Sequence, residues 1–167
     1  MHLPEELIAA ELEPNRVELP QRTPAEHIRW ALDHPVDSAP LKELVKAGDK
    51  VCIVISDVTR RWQSPETYIP VLIAELECAG IRDEDMLIIS ATGTHRRQTP
   101  EEHMGLVTKE VYERIELVDH VCTDEENLSY VGTTSRGTPV WLDKRALACD
   151  KIILTGGVVY HFMAGFG

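Results

Sequence analysis

The sequence of 167 residues is poor in cysteine, and its four cysteines stand far apart, without a CxxC pair. This spacing argues against a zinc finger and a disulfide framework, and it is typical of reduced, mostly buried thiols in a cytosolic protein. No apolar run reaches the ~18 residues that a membrane-spanning helix requires, and we expect no secretory signal. The predicted location is therefore cytoplasmic, without a membrane partner.

Positive charge is scarce as well. The 17 lysines and arginines are outnumbered by 28 aspartates and glutamates, which gives a formal net charge of −11, and there is no long basic run. Nucleic-acid binding requires clustered Lys and Arg against phosphates, so we expect no nucleic-acid partner. A small anion can still bind, because backbone amides and one or two arginines outweigh the net charge at close range.

What the sequence does contain is an alternation of strand and helix signals. Apolar segments predict strands over Val51–Ser56, Met86–Ser90, Ile115–Val118 and Ile152–Thr155, with a short strand around Arg16–Leu19 and another after the turn at 137–139. Proline and capping residues predict helices that begin at Thr23, Pro40, Ser64, Thr99, Thr108 and Asp143.

This alternation predicts right-handed crossovers and a mostly parallel sheet with helices on both faces, a Rossmann-like α/β fold. Residues 1–48 are expected to form an extension whose helices pack on the domain, and residues 49–167 to form the Rossmann-like part itself. In such sheets ligands bind at the carboxyl ends of the strands.

Three of the predicted buried strands each run directly into a polar cluster. The clusters are Ser-Asp-Val-Thr-Arg-Arg at 56–61, Ala-Thr-Gly-Thr-His-Arg-Arg at 91–97, and Gly-Gly-Val-Val-Tyr-His at 156–161 with Ala-Gly-Phe-Gly at 164–167. If the strands are neighbours, the charged and imidazole side chains of these clusters converge on one crevice: Asp57, Arg60, His95 and His161.

Each cluster has a chemical interpretation and a plainer one. The small residues of Thr92-Gly93-Thr94 let the backbone approach phosphate oxygens, although a tight turn after a strand explains them equally well. Arg60 can hold a carboxylate or phosphate by two parallel hydrogen bonds, or it can form a surface salt bridge. Asp57 can orient Arg60 or a ligand hydroxyl, or it can act as a capping residue.

Histidine carries the strongest indication of catalysis. Histidines titrate near neutral pH, so two of them across a pocket can exchange the roles of acid and base. His95 and His161 both follow buried strands beside glycine and form the candidate pair. The others fit surface or hydrogen-bonded structural positions: His2, His27, His34, His103 and His120. No third residue has ligand-like spacing, so a zinc site is not indicated.

Together these motifs resemble those of the lactate racemase family. The family's successive motifs are similar to Asp-Val-Thr-Arg at 57–60, Thr-Gly-Thr-His-Arg at 92–96 and His-Phe-Met-Ala-Gly-Phe-Gly at 161–167, in the same order and at similar spacing. The similarity runs from about Asp49 to the end of the sequence.

The resemblance implies two α/β domains with a cleft between them, and a nickel-pincer nucleotide, which is a modified nicotinate mononucleotide that carries nickel. It implies that His95 and His161 act as acid and base and that Asp57 and Arg60 contact the substrate. The residues expected at the cofactor are Thr59, Thr92, Gly93, Thr94, Gly165 and Gly167. In the family, the cofactor-holding Lys, the nickel-ligating His and the second domain follow this glycine-rich loop, so the 167 residues alone are expected to be inactive.

The implied reaction is racemisation or epimerisation of a small 2-hydroxy acid such as lactate. Hydride leaves the 2-carbon while one histidine takes the hydroxyl proton, and the resulting keto acid takes the hydride back on its other face. The family often has Pro where this sequence has Arg61, which suggests a different or more acidic substrate. Two alternatives stay open: a nucleotide- or phosphate-binding module without catalysis, and another reaction on the same cofactor.

Overall fold

The structure is a computed structural model, and it describes residues 4, 8–10, 18, 20–161, 163, 165 and 166. Of the strand predicted over Arg16–Leu19, Glu18 alone lies among the described residues, and it is in neither a helix nor a strand. The rest of that prediction lies outside the described residues.

Strands and helices alternate along the chain. The strands are β1 (Val51–Ser56), β2 (Met86–Ala91), β3 (Glu116–Asp119), β4 (Leu128–Thr133), β5 (Pro139–Asp143), β6 (Lys151–Leu154), β7 (Tyr160–His161) and β8 (Gly165–Phe166). The helices are α1 (Pro24–Asp33), α2 (Leu41–Leu44), α3 (Pro65–Cys78), α4 (Pro100–Val107), α5 (Lys109–Arg114) and α6 (Lys144–Leu147), with 3-10 segments at Val58–Gln63, Asp83–Asp85 and Glu125–Asn127. The other predicted elements match these to within a few residues.

The main sheet has four parallel strands in the order β3-β2-β1-β6. β1 is central, and Val51 pairs with Met86 on one side and with Lys151 on the other. β1 forms a strand because its sequence is apolar and rich in β-branched residues, which suits a strand covered on both faces. The predicted α/β fold with a mostly parallel sheet is confirmed.

Helices cover one face of this sheet densely. Ile53 and Ile55 of β1 pack in one cluster with Ile69 and Leu76 of α3 and Leu106 of α4, and all five side chains are fully buried. Burying one such aliphatic side chain stabilises a fold by about 1.5–3 kcal/mol. This cluster is the main core of the domain.

The opposite face has a thinner cover. Its buried cluster consists of Cys52, Ile89 and Ala146, the last of these from α6. On the edge strand β6, Ile152 is 44% exposed and Leu154 is 77% exposed. The prediction that β6 is buried on both faces is therefore wrong, because an apolar run does not reveal whether another element covers it.

Along the chain, β3 is followed by an antiparallel hairpin of β4 and β5, and α6 comes after it. The prediction included its second strand but not β4. The register of β4 shifts between Tyr130 and Gly132, so the strand lacks the regular alternation that sequence analysis depends on. The rings of Tyr130 and Trp141 contact each other across the hairpin, with centroids 5.4 Å apart.

The cysteines are free thiols, as predicted, but most of them are not buried. Cys52 is buried in β1 and Cys149 is half-buried, whereas Cys78 and Cys122 are exposed. Cys78 ends α3 and Cys122 lies in the loop after β3, and neither position is covered by another element.

Two capping boxes begin α1 and α4, as predicted. The Glu26 carboxylate accepts a hydrogen bond from the Thr23 amide at 2.7 Å, and the Glu102 carboxylate accepts one from the Thr99 amide at 2.9 Å. The box at Thr99 fixes the point where the loop from β2 becomes helix. No helix in the described ranges is both long enough and apolar enough to cross a membrane.

The topology brings several loops together at the carboxyl end of the parallel sheet. From β1 the chain passes through α3 to β2 and on to β3, and it later returns to the other side of β1 to form β6. In open α/β sheets, ligands bind outside the carboxyl ends of the strands. The carboxyl ends of β1, β2 and β6 lead to the three polar clusters.

Truncating a side chain in the main core should cost much stability. We expect Ile53→Ala to lower the free energy of unfolding by about 2–5 kcal/mol, because the lost aliphatic contacts leave a cavity. Ile152→Ala removes the same atoms from a side chain that is 44% exposed, and it should cost clearly less. Urea unfolding followed by circular dichroism measures both variants, and equal losses would contradict this description of the two faces.

Candidate active site

The carboxyl ends of β1 and β2 enclose a polar crevice of about 350 Å³. Its lining comes from the two strand ends and the loops that follow them: Ser56, Asp57, Thr59, Arg60, Ala91, Thr92, Gly93, Thr94 and His95. Ser56 and Ala91 are register partners, so the two polar clusters begin side by side. The structure thus brings together the predicted site residues of the first two clusters.

A hydrogen bond between Asp57 and His95 joins the two walls of this crevice. Asp57 Oδ2 lies 2.5 Å from His95 Nδ1. The other carboxylate oxygen accepts hydrogen bonds from the Thr59 amide at 3.1 Å and from the Thr59 hydroxyl at 2.6 Å. Because both oxygens are engaged within the protein, the geometry favours an orienting role for Asp57 over direct contact with a ligand.

The surroundings of Asp57 keep its carboxylate charged. Burial alone would raise the pKa of Asp57, but hydrogen bonds from Thr59 and His95 outweigh it, and the pKa lies below its ordinary value. A carboxylate only accepts hydrogen bonds, so His95 Nδ1 carries a proton. The opposite ring nitrogen, Nε2, is left for proton exchange with a ligand, and 49% of the His95 side chain is exposed.

Arg60 lies beside this pair. Its Nη1 donates to Thr59 Oγ1 at 3.2 Å, and the Thr59 hydroxyl donates in turn to Asp57. Other arginines are ion-paired with carboxylates: Arg82, Arg96, Arg114 and Arg145. Among the described residues, Arg60 has no carboxylate partner of this kind. Its guanidinium is therefore suited to bind a carboxylate or phosphate of a ligand.

The turn after β2 offers mainly backbone to the crevice. Gly93 has a φ of +58°, in the left-handed region that favours glycine. Thr92 is 2% exposed, and its hydroxyl donates to the carbonyl oxygen of His120. Thr92 therefore anchors the turn from inside, whereas Thr94 is exposed and its hydroxyl is accessible to a ligand.

The third predicted cluster lies in a separate small hairpin. His161 is in β7, which pairs with β8, and its Nδ1 accepts a hydrogen bond from the Met163 amide at 3.1 Å. Gly165 is in β8, and Gly167 lies outside the described residues. Neither His161 nor Gly165 lines the crevice. The pairing of His95 with His161 across one pocket stays a prediction.

Arg61 packs on a helix instead of lining the crevice. A Cβ built on Gly105 of α4 would lie 3.4 Å from Arg61 Nη1, so the guanidinium lies against the helix. The neighbouring Arg60 lines the crevice. This placement gives no support to the hypothesis that Arg61 selects a more acidic substrate.

Sequence reasoning missed a group of polar residues behind the crevice. Asp119, at the end of β3, is 8% exposed and accepts hydrogen bonds from Gln98 and from His103. Burial alone would raise the pKa of Asp119, but these bonds outweigh it and the pKa is lowered. His103 thus has the structural position that we predicted. A polar residue directly after a predicted strand was the available signal for Asp119.

The donor set of the crevice suits an anion more than a metal ion. It combines the Thr94 hydroxyl, an open backbone turn and the Arg60 guanidinium, while the Asp57 carboxylate and the His95 imidazole are bonded to each other. In the described part of the chain, no group of three or more His, Cys, Asp or Glu side chains is placed to hold a metal ion.

Comparison with known proteins identifies the family of this chain. The model of the family described as lactate racemase N-terminal domain matches residues 1–167. The chain belongs to this family. It spans about a third of the length of the lactate racemases that it matches.

Two lactate racemases are similar to the chain in sequence. The enzyme of Lactiplantibacillus plantarum is 32% identical over 141 residues, which cover 84% of this chain and 33% of that protein. The enzyme of Thermoanaerobacterium thermosaccharolyticum is 29% identical over 139 residues, which cover 83% of this chain and 32% of that protein. The apoprotein structure from the latter organism has a TM-score of 0.76 at 28% identity, over 87% of this chain and 34% of that chain. The resemblance to the lactate racemase family is confirmed.

The Asp57 carboxylate should stabilise this lactate racemase family domain in a pH-dependent way. Because its pKa is lower in the folded chain than in the unfolded chain, its stabilisation is present above the unfolded pKa and is lost as pH falls through the folded pKa. We expect Asp57→Asn to cost about 1–3 kcal/mol at neutral pH and less at an acidic pH below about 3.9, the ordinary pKa of an aspartate, where the unfolded carboxyl is protonated. Urea unfolding at both pH values measures the difference.

The control for this prediction is Asp33→Asn, which makes the same chemical change at a side chain that is 53% exposed. It should change the free energy of unfolding little at either pH. A deficit of Asp57→Asn that is equally large at both pH values would contradict the assignment to the ionised carboxylate.

Proposed function

We propose that this chain is part of an enzyme that racemises or epimerises a small 2-hydroxy acid such as lactate. The observation that carries the proposal is the Asp57–His95 hydrogen bond beside Arg60, in a domain of the lactate racemase N-terminal family. An oriented imidazole next to an anion-binding group suits proton removal from the hydroxyl of a hydroxy acid.

In this proposal Arg60 binds the carboxylate of the substrate. Two parallel hydrogen bonds from a guanidinium fix both the position and the plane of a carboxylate. The Thr59 hydroxyl accepts one hydrogen bond from Arg60, which limits the freedom of the long side chain. A substrate held in this way keeps its 2-hydroxyl group in one orientation towards the base, instead of sampling many orientations.

His95 acts as the base that takes the hydroxyl proton and later returns it. Its Nδ1 is bonded to Asp57, so Nε2 is the nitrogen that exchanges the proton. When Nε2 is protonated the ring becomes positively charged, and the adjacent carboxylate stabilises that charge. The Asp57 side chain is 4% exposed, so water weakens this attraction little.

His161 is assigned the second acid–base role. Racemisation requires that the hydrogen leave one face of the 2-carbon and return to the other, which a second proton-transfer group on the far side of the substrate assists. β6 pairs with β1 in parallel, so the segment that leads to His161 starts at the carboxyl end of the sheet, as the crevice does. We expect the remaining part of the enzyme, a second domain, to close over this end.

The crevice fits the anionic parts of a nickel-pincer nucleotide. Phosphate and carboxylate oxygens would be held by the hydroxyl of Thr94 and by the backbone of the turn from Thr92 through Gly93, with Thr59 beside them. We assign Gly165 and Gly167 to the same cofactor. When bound, it supplies the acceptor for the hydrogen of the 2-carbon together with its electron pair.

A nucleotide- or phosphate-binding module without catalysis is the second candidate. The hydroxyls, the open turn and Arg60 favour it as strongly as they favour the enzyme. It gives no reason, however, for a buried carboxylate to orient the exposed His95, since burying a charge costs free energy unless it is compensated. A different reaction on the same cofactor would use the same residues and would differ in its substrate.

Replacing His95 should distinguish the enzyme from the binding module. In the intact enzyme that contains this chain, we expect His95→Asn to lower kcat for lactate racemisation by about 10²–10⁴-fold, because the general base is lost. Nickel content and cofactor absorbance should stay unchanged. His34 is exposed and directly follows α1, so His34→Asn serves as the control and should keep wild-type turnover. Full activity of His95→Asn would remove the main support for the mechanism.

The 167-residue chain alone should not racemise lactate. It spans about a third of the length of its named relatives, and the described residues hold no metal-binding group of their own. Incubation with L-lactate, followed by chiral chromatography, should yield no D-lactate above the buffer control. Turnover by this chain alone would show that one domain suffices and would overturn this part of the proposal.

A further inference from the structure

Gln98 connects the ends of three strands. Its side-chain oxygen accepts a hydrogen bond from the Val58 amide at 2.7 Å, just after β1. Its side-chain nitrogen donates to Ser90 Oγ in β2 at 2.7 Å and to Asp119 Oδ1 in β3 at 2.8 Å. Its own backbone amide donates to Asp119 Oδ2 at 2.7 Å. One side chain therefore ties β1, β2 and β3 together at their carboxyl ends.

These bonds reach the loop that carries Asp57 and the loop that carries His95. Val58 directly follows Asp57, and Gln98 lies three residues after His95 in the loop from β2. The start of that loop is held separately by Thr92, which is 2% exposed. The bonds of Gln98 thus link the loop that carries Asp57 to the loop that carries His95, and these two side chains lie 2.5 Å apart.

The chemistry of the site specifies an amide at position 98. Both hydrogens of the side-chain nitrogen have acceptors, and the oxygen faces the Val58 amide. A reversed amide would place two donors together at Val58 and two acceptors together at Asp119. A glutamate would place its carboxylate against the Asp119 carboxylate, whose side chain is 4% exposed. Gln98 thus has a single orientation that satisfies every partner.

We propose that Gln98 is a positioning residue for the hydrogen bond between Asp57 and His95: it bonds Val58 on one loop and Asp119 behind the other, and so sets how Asp57 approaches His95. The geometric part concerns this chain alone. The catalytic consequence rests on the proposed function, because it requires His95 to exchange a proton with the substrate.

The geometric part is tested on the 167-residue chain by NMR. A long-range ¹H–¹⁵N spectrum, at a pH where the imidazole is neutral, should show His95 as a single tautomer with the proton on Nδ1, bonded to Asp57. Gln98→Glu should give a mixture of tautomers, because repulsion from Asp119 moves the side chain away from Val58. His103→Leu removes a different hydrogen bond to the same Asp119, and it should leave the His95 signal unchanged.

A double variant, Gln98→Glu with Asp119→Asn, exchanges the amide and the carboxylate. The amide at 119 can then donate to the carboxylate at 98, which still accepts from Val58, so the single His95 tautomer should return. A Gln98→Glu chain that keeps the wild-type His95 signal would overturn the inference. A folded double variant without the single His95 tautomer would also overturn it. If Gln98→Glu does not fold, the result for the double variant decides alone.

The catalytic part is tested in the intact enzyme. Gln98→Glu should lower kcat by about 10²-fold, the cost of a misplaced catalytic group, with KM little changed, and the double variant should recover most of the loss. If His95→Asn abolishes turnover while Gln98→Glu leaves it unchanged, the positioning inference fails and the proposed function stands. If the NMR result holds but His95→Asn stays active, the proposed function fails and the geometric part of the inference stands.

Discussion

The parallel pairing of β1 with β2 is the constraint on which the rest of the domain depends. Because Ser56 and Ala91 are partners at the ends of these strands, the loops after them leave from adjacent points. Asp57 and His95 can therefore meet although 38 residues separate them. A register shift would turn buried side chains such as Ile53 towards the wrong face, and the main core resists it. Apolar packing thus brings the two polar loops side by side.

The geometry gives Asp57 an orienting role, and the substrate contact that the family resemblance implies stays a prediction. The resemblance implies contact with the substrate, whereas the carboxylate oxygens are engaged by Thr59 and His95. Arg60 donates to Thr59, so guanidinium, hydroxyl, carboxylate and imidazole form one chain of hydrogen bonds. The Arg60 guanidinium and the His95 imidazole are then parts of one connected unit.

Sequence predicted the parts of the fold that depend on local patterns. The uninterrupted apolar run of β1 and the capping boxes at Thr23 and Thr99 each require only neighbouring residues, and all were found as predicted. The bonds of Gln98 were not predictable, because its partner Val58 lies 40 residues away and no periodic pattern marks an isolated amide. The exposure of Leu154 was missed for a related reason, since covering a strand is a tertiary property.

The unequal cover of the sheet also has a consequence for local opening. Ile53 in β1 is fully buried, so the backbone amides of this strand are expected to exchange hydrogen with solvent only when the whole domain unfolds. β6 is bonded to β1 along one edge and leaves Leu154 largely in water, so it can detach at lower cost. The loop that carries His95 thus follows β2, which pairs with the fully buried central strand β1. The segment that leads to His161 follows β6, so it is expected to be held less firmly than the loop that carries His95.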